Sequence, residues 1–297
     1  MEIREVGVIG CGLMGSGIAQ VLATAGFPTV VVEVSQEFLE RGVTNIEKRL
    51  DRQVQKGLLK PEERAAIRSR LHPTTDRAGL AHCDLVVEAV IENLEEKRKL
   101  WRSLDSILPR HAILTSNTSS LSLTEMMIAT GRPERFLGIH FMNPAPVMEL
   151  VEVIRTVATD NEVFETAVDF VRRLGKTPVR TSDRPGFIVN RLLIPYLLDA
   201  IRALEQGIGT IPDVDRAMQL GCGHPMGPFT LLDFVGLDTT YYIANSLFEE
   251  FREARFAPPG LLKRLVLAGW HGRKTGKGFY DYSDPSAPKA LEQIHQI

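Results

Sequence analysis

The stretch Gly10-Cys11-Gly12-Leu13-Met14-Gly15 constrains this chain more than any other feature. It follows a β-branched run, Val6 to Ile9, and opens a helical pattern from Ser16 to Thr24, after which Thr29 to Val32 reads as a second strand. In the context of strand, glycine loop and helix, GxGxxG signals a dinucleotide-binding turn rather than a chance glycine cluster. One glycine permits the tight turn, one lets the backbone approach a pyrophosphate, and one allows close packing of helix on strand, while the helix N-terminus attracts phosphate. Glu33 ends the second strand at the spacing expected of the acid that accepts hydrogen bonds from the adenosine ribose hydroxyls. Its carboxylate repels a 2′-phosphate, and no lysine or arginine follows within the next few residues, so NAD is the expected cofactor.

The first half of the chain alternates short β-branched runs with helical patterns, the order that a parallel sheet with crossover helices produces. A charged helical stretch from Gln36 to Arg70, broken near Gly57 and Pro61, reads as an inserted hairpin before the next strand at Asp84 to Glu88. Further strands are expected at Ala112 to Ser116, Phe136 to His140, Leu150 to Ile154 and Thr177 to Arg180. After Pro185-Gly186 the β-type runs stop, and Phe187 to Glu205, Asp213 to Leu220, Asp238 to Phe251 and Gly260 to Ala268 read as helices. The expected fold class is an α/β Rossmann-type N-terminal domain (1–185) with an inserted helical hairpin, followed by an all-α C-terminal domain (186–297).

Composition narrows the partners. A net charge of -2 gives no general electrostatic reason to expect nucleic acid or an anionic membrane, so any anionic ligand must be held locally. The three cysteines, Cys11, Cys83 and Cys222, form no CxxC pair and no spacing that suggests metal ligands. No disulfide framework and no metal are expected, and a reducing cytoplasm fits best. Without a basic-then-apolar leader or an apolar run long enough for a bilayer, a soluble, unprocessed chain is expected.

A Rossmann fingerprint fixes the cofactor class and leaves the reaction open. His140 lies where the strand from Phe136 gives way to Phe141-Met142-Asn143-Pro144, a position that catalytic groups favour. Oxidising an alcohol requires removal of the hydroxyl proton, and neutral histidine suits that task near pH 7. Taken alone, a histidine is more often a packed structural residue. Glu152 interrupts Leu150-Val151-Glu152-Val153-Ile154 on the face shared by Leu150 and Ile154, where a carboxylate is expected to be buried and to need a partner. A short connection from His140 would bring the two together, the alternative being an acid facing solvent on an edge strand. Ser116-Asn117-Thr118-Ser119-Ser120 follows another strand and reads first as a cap for the next helix. Asn190 sits in a helix apolar enough around its circumference to be buried, so its amide needs partners in the core or on a ligand. Arg49, Arg52 and Lys56 fall at i, i+3 and i+7 and should share one face, which by spacing alone is a solvated one.

These stretches, together with Asp84-Leu85-Val86-Val87-Glu88-Ala89, Gly138-Ile139-His140-Phe141-Met142-Asn143-Pro144, Pro185-Gly186-Phe187-Ile188-Val189-Asn190-Arg191, Pro225-Met226-Gly227-Pro228 and Gly276-Lys277-Gly278-Phe279-Tyr280, resemble the short-chain L-3-hydroxyacyl-CoA dehydrogenase family in order along nearly the whole chain. The resemblance implies His140 as general base, Glu152 as its partner, and Ser119 and Asn190 as ligands of the substrate's reacting region. It implies NAD contacts from Gly10, Cys11, Gly12, Leu13, Met14, Gly15, Glu33, Glu92, Lys97, Ser119, Asn143 and Lys274, and a coenzyme A contact from Lys56. It also implies an acyl-CoA thioester substrate, with short chains such as 3-hydroxybutyryl-CoA expected, and a homodimer. Two departures are Glu33, where many relatives carry aspartate, and Cys11 at a variable place in the loop. A related dehydrogenase of another hydroxy acid such as L-gulonate, and a non-enzymatic nucleotide-binding protein, are the alternatives.

Overall fold

The computed structural model describes residues 1–291 and divides them into two compact units, Met1–Phe187 and a second that begins at Ile188. The first is built on β1 (Val6–Ile9), α1 (Leu13–Thr24), β2 (Thr29–Val32), α2 (Gln36–Gln55), α3 (Pro61–Ser69), β3 (Leu71–Thr74), β4 (Leu85–Glu88), α4 (Leu94–Asp105), β5 (Ile113–Ser116), α5 (Leu123–Met127), β6 (Phe136–Phe141), β7 (Leu150–Arg155), α6 (Asn161–Arg173) and β8 (Thr177–Ser182). Its 8-stranded sheet runs β3-β2-β1-β4-β5-β6-β7-β8, parallel through β6, with β7 antiparallel to β6 and parallel to β8. The chain reverses its direction of travel across the sheet at β1, between β2 and β4, the place where doubly wound sheets bind ligands at the carboxyl ends of their strands.

Both faces at the centre of the sheet are covered, which is why β1, β2 and β4 are buried along their whole length rather than alternating. Val6, Val8 and Val31 pack with Ile18, Leu22, Leu39, Ile46 and Phe170 on one side. Ile9, Val30, Val32 and Val86 pack with Leu100, Trp101, Leu104 and Phe136 on the other. Trp101 is wholly buried and meets Phe136 edge-on at 5.0 Å between ring centroids. Truncating either ring would cost about 3–5 kcal/mol.

One strand escapes the sequence pattern. The segment between the hairpin and Asp84 is not only helix and loop: Leu71–Thr74 forms β3, with His72 and Pro73 in its middle. It occupies the sheet edge, where an imino nitrogen costs no inter-strand bond and only one side needs apolar residues, so neither composition nor period announces it.

The second unit contains α7 (Val189–Glu205), α8 (Ile211–Cys222), α9 (Pro228–Val235), α10 (Leu237–Phe251) and α11 (Gly260–Leu267) around Leu197, Leu198, Ile201, Phe229, Leu247 and Phe279. It is helical apart from the short pair β9 (Tyr280–Asp281) and β10 (Lys289–Ala290), and α9 is a helix that the sequence reading did not separate. Its first helix is less enclosed than its apolar sequence suggests. Ile194, Leu197, Leu198 and Ile201 are buried, whereas Leu192 is 69% exposed and Asn190 is half-buried. Among the described residues no helix is long and apolar enough to cross a membrane, and the three cysteines are free.

Candidate active site

The glycine loop is built by backbone. Gly10 has a φ of 92°, and a side chain there would strike the carbonyl of Ala89; at Gly15 an added Cβ would lie 1.8 Å from the Gly10 oxygen. Gly12 is different, because an added Cβ would meet nothing within 4 Å. Gly10 and Gly15 are demanded by the fold, whereas Gly12 faces open space, which lets a ligand approach the backbone there. Gly12 is also the N-cap of α1 and offers no capping side chain, so the first-turn amides are left for an anion. Leu13 is exposed, Met14 half-buried, and Cys11 lies beneath, its thiol pushed up to about 11 by burial and the Glu33 carboxylate against the opposing Arg49. Glu33 accepts from the Cys11 amide at 2.7 Å and from the Val34 amide at 2.6 Å, which fixes its carboxylate beside the loop. A phosphate cradle with an acid at the neighbouring strand tip fits NAD.

At the tips of β4 and β5 a buried charge cluster holds the Ser116 to Ser120 loop. Lys97 and Glu88 are both buried and form a 2.6 Å ion pair, and Lys97 also reaches Glu92 at 3.1 Å. Glu88 takes the Val90 amide at 2.8 Å and the Ser116 hydroxyl at 2.6 Å. Glu92 accepts from the Thr118 hydroxyl and from the Ser119 amide at 3.1 Å. Burial raises the Glu92 pKa, but Lys97 and these donors outweigh it and hold the carboxyl below its ordinary range. Burial likewise disfavours the Lys97 charge, yet the two carboxylates win and push the ammonium upward. The loop is therefore not the cap of α5: Ser122 caps it, and Asp183 takes the Leu123 and Thr124 amides at 3.0 and 2.7 Å. Glu88 and Asp183 were not singled out from the sequence. An acid ending an apolar strand, with a lysine one helical turn into the next helix, was the available signal for Glu88.

At β6 and β7 the antiparallel register pairs His140 with Glu152. The ring Nδ1 lies 2.8 Å from Glu152 Oε2, with the glutamate fully buried on a strand flanked by β6 and β8 rather than on an edge. Gly138 shares the face of His140, and an added Cβ would lie 2.6 Å from Leu123 and 2.8 Å from Ile154, so glycine lets α5 close over the strands. The Phe187 ring lies 5.5 Å from the imidazole. A carboxylate at Nδ1 makes that nitrogen the protonated one and leaves the Nε2 lone pair as acceptor, the arrangement of a general base oriented by an acid. The Asn117 side chain accepts the Phe141 amide at 2.8 Å, tying the β5 loop to this strand.

The first unit thus brings the glycine loop, Glu33, Glu92, Lys97, Ser119, His140 and Glu152 to one edge of its sheet, with Asn143 exposed in the connection that follows β6. Asn190 begins α7 and Lys274 lies in a short turn of the second unit, where its ammonium sits 2.7 Å from Asp238 Oδ2. Lys56 is exposed at the end of α2 and Arg52 is exposed beside it. Arg49 leaves their face: its guanidinium turns onto α1 and donates to Gln20 at 2.7 Å and Ser16 at 3.2 Å. A long side chain near the boundary of a helix face follows its hydrogen-bond partners rather than its position on the wheel.

A doubly wound sheet with an NAD-binding glycine loop, and a buried histidine-glutamate pair at the same carboxyl edge, define an NAD-dependent dehydrogenase. The chain belongs to the 3-hydroxyacyl-CoA dehydrogenase family: the model of the family's NAD binding domain matches residues 5–184 and that of its C-terminal domain matches residues 186–282. It is 48% identical over 280 residues to a 3-hydroxybutyryl-CoA dehydrogenase of Bradyrhizobium diazoefficiens, covering 94% of this chain and 96% of the relative. The crystal structure of FadB2 from M. tuberculosis matches with a TM-score of 0.94 at 46% identity, over 95% of this chain and 100% of that one. That of (S)-3-hydroxybutyryl-CoA dehydrogenase from Ralstonia eutropha matches with a TM-score of 0.91 at 39% identity, over 95% and 100%.

Proposed function

We propose that this chain catalyses the reversible oxidation of short (S)-3-hydroxyacyl-CoA thioesters, (S)-3-hydroxybutyryl-CoA above all, to the 3-ketoacyl-CoA. The observation that carries this reading is the buried 2.8 Å contact between His140 Nδ1 and Glu152. His140 accepts the 3-hydroxyl proton at Nε2, and Glu152 holds the ring in the productive tautomer and stabilises the imidazolium. Bound NAD supplies the hydride acceptor. Ser119 and Asn190 bind the reacting end of the substrate, and Lys56 the coenzyme A nucleotide. The loop from Gly10 to Gly15 with Glu33, Glu92, Lys97, Ser119, Asn143 and Lys274 makes up the cofactor contacts, with the buried Lys97 acting through its pairs with Glu88 and Glu92. The family resemblance and the placement of most of these residues on one sheet edge support the assignments. A homodimer and a cytoplasmic location belong to the same reading, on the family analogy and the free cysteines.

The test is loss of NADH absorbance when purified protein meets acetoacetyl-CoA. Turnover with NADH well above that with NADPH is expected. Gain of NADH absorbance with NAD and L-gulonate, without turnover of acetoacetyl-CoA, would move the protein to another hydroxy acid, and binding of NADH without either activity would make it a nucleotide-binding protein only.

A further inference from the structure

The connection 142–149 leaves the His140 strand, carries Asn143, and returns as the Glu152 strand, so its shape sets the geometry of the catalytic pair and of a cofactor contact together. It is pinned from two sides. On one side Gly17 of α1 comes so close that an added Cβ would lie 3.3 Å from Ala145 Cβ and from Pro146 Cδ. On the other, Lys176 Nζ donates to the carbonyl of Ala145 at 2.9 Å and to that of Met148 at 2.8 Å. Between these, the amides of Val147 and Met148 both donate to the Pro144 carbonyl, closing a tight turn.

The aim of Lys176 is set by local backbone. Helix α6 ends with Gly175 at a φ of 71°, its amide bonded to the Arg172 carbonyl and the Lys176 amide to that of Val171. That pairing is a Schellman stop, which fixes the direction of the residue after the glycine. The ammonium it aims is half-buried with neutral acceptors, and burial lowers its pKa against a partly opposing Glu149. The two carbonyls are what this half-buried charge holds in place of water.

We infer that Lys176 is a positioning residue for the dehydrogenase reaction: by clamping the 142–149 connection against α1, it fixes Asn143 and the His140 strand relative to the helix whose N-terminus holds the cofactor phosphates. The inference rests on the function proposed above for His140 and Asn143. A displacement of a few tenths of an ångström to 1 Å in a reacting group lowers turnover steeply while leaving much of the ground-state affinity in place.

The experiment compares wild type, Lys176→Met, Lys176→Arg and Gly17→Ala. NADH affinity is read by fluorescence titration, and kcat per NADH-binding site with acetoacetyl-CoA. Lys176→Met should lower kcat by on the order of ten-fold and weaken NADH by about three-fold, with the KM for acetoacetyl-CoA nearly unchanged. Lys176→Arg, which also spans two carbonyls, should recover most of both losses. Placing Lys176→Met in an Asn143→Ala background should weaken NADH little further, because both act through one loop. Should Lys176→Met not fold, Gly17→Ala presses the same loop from the other side with a better helix former, and a smaller loss of the same pattern is expected. Normal kcat per binding site and normal NADH affinity in the folded variants would overturn the inference. So would a loss confined to thermal stability. If wild type binds NADH but does not turn over acetoacetyl-CoA, the proposed function fails, and the NADH titrations still decide whether Lys176 shapes the cofactor site.

Discussion

The buried glutamates at the sheet edge of the first unit and the buried aspartates of the second are satisfied in opposite ways. In the first, each of the buried glutamates at the sheet edge is matched by a titratable base: Glu152 by His140 and Glu88 by Lys97. In the second, Asp215 and Asp233 are buried among neutral donors. Asp215 takes the Phe229 and Thr230 amides and the hydroxyls of Thr230 and Tyr280, while Asp233 takes the Phe279 and Tyr280 amides and the Tyr282 hydroxyl. Burial raises Asp233 to about 6 against the pull of those donors, with the nearby Asp215 adding to the rise. Glycine makes room for both, since an added Cβ at Gly227 would strike Asp215 and one at Gly278 would strike Asp233. At the sheet edge a buried glutamate faces a titratable cation or imidazole, whether it orients a ring, as Glu152 does, or holds a loop, as Glu88 does. A buried aspartate that gathers a turn in the second unit is given backbone amides.

The largest effect that tests this contrast is at His140. His140→Ala should lower kcat by on the order of 10²–10⁴ while NADH affinity stays within about two-fold, since in the proposed mechanism the ring acts on the substrate proton. Near-normal turnover would remove the catalytic half of the comparison. Next comes the structural pair of the same edge. Lys97→Met leaves Glu88 buried without its ammonium and should cost roughly 3–5 kcal/mol in urea unfolding; a loss below about 1 kcal/mol would show that Glu88 tolerates burial through its other donors.

Glu152→Gln keeps the shape but removes the charge, and a fall in kcat of about 10–100-fold is expected, with the His140→Ala, Glu152→Gln double variant no worse than about two-fold below His140→Ala. Full additivity would mean that the glutamate acts independently of the ring. The smallest effect concerns Asp233. Its folded pKa of about 6 lies above the ordinary value of 3.8, so the fold binds a proton that the unfolded chain releases, and stability falls as pH rises from about 4 to 6. On the order of 1–2 kcal/mol of such slope is expected from unfolding of wild type, and Asp233→Asn should lack it. An unchanged slope would place the titration elsewhere.

How much of the site could be read in the residues depended on whether neighbours in space were neighbours in sequence. The glycine loop, Glu33 and the positions of most strands were legible, because turn chemistry and hydrophobic period are written in contiguous residues. Glu152 was legible as a buried acid in need of a partner, and the register of β6 on β7 supplied His140. Lys97 was legible only through the family resemblance, as an NAD contact, and not as the partner of Glu88. Its place three, four and seven residues before Leu100, Trp101 and Leu104 puts it on the buried face of α4, whereas its carboxylate partners Glu88 and Glu92 are brought to it only by tertiary structure.

What the sequence determined by itself is the doubly wound first unit, the dinucleotide turn, the preference for NAD and the change to helices after Gly186, each the product of local propensity and short-range spacing. Tertiary structure alone decided which polar groups meet. It put Pro73 in an edge strand, turned Arg49 away from Lys56 onto α1, made Glu88 the hub of the β4 tip, and aimed Lys176 at the carbonyls of a loop far from it in sequence. The reason is physical. A side chain's hydrogen-bond partners are fixed by packing between elements, and the free energy that selects them is shared across the whole core rather than held in any one segment.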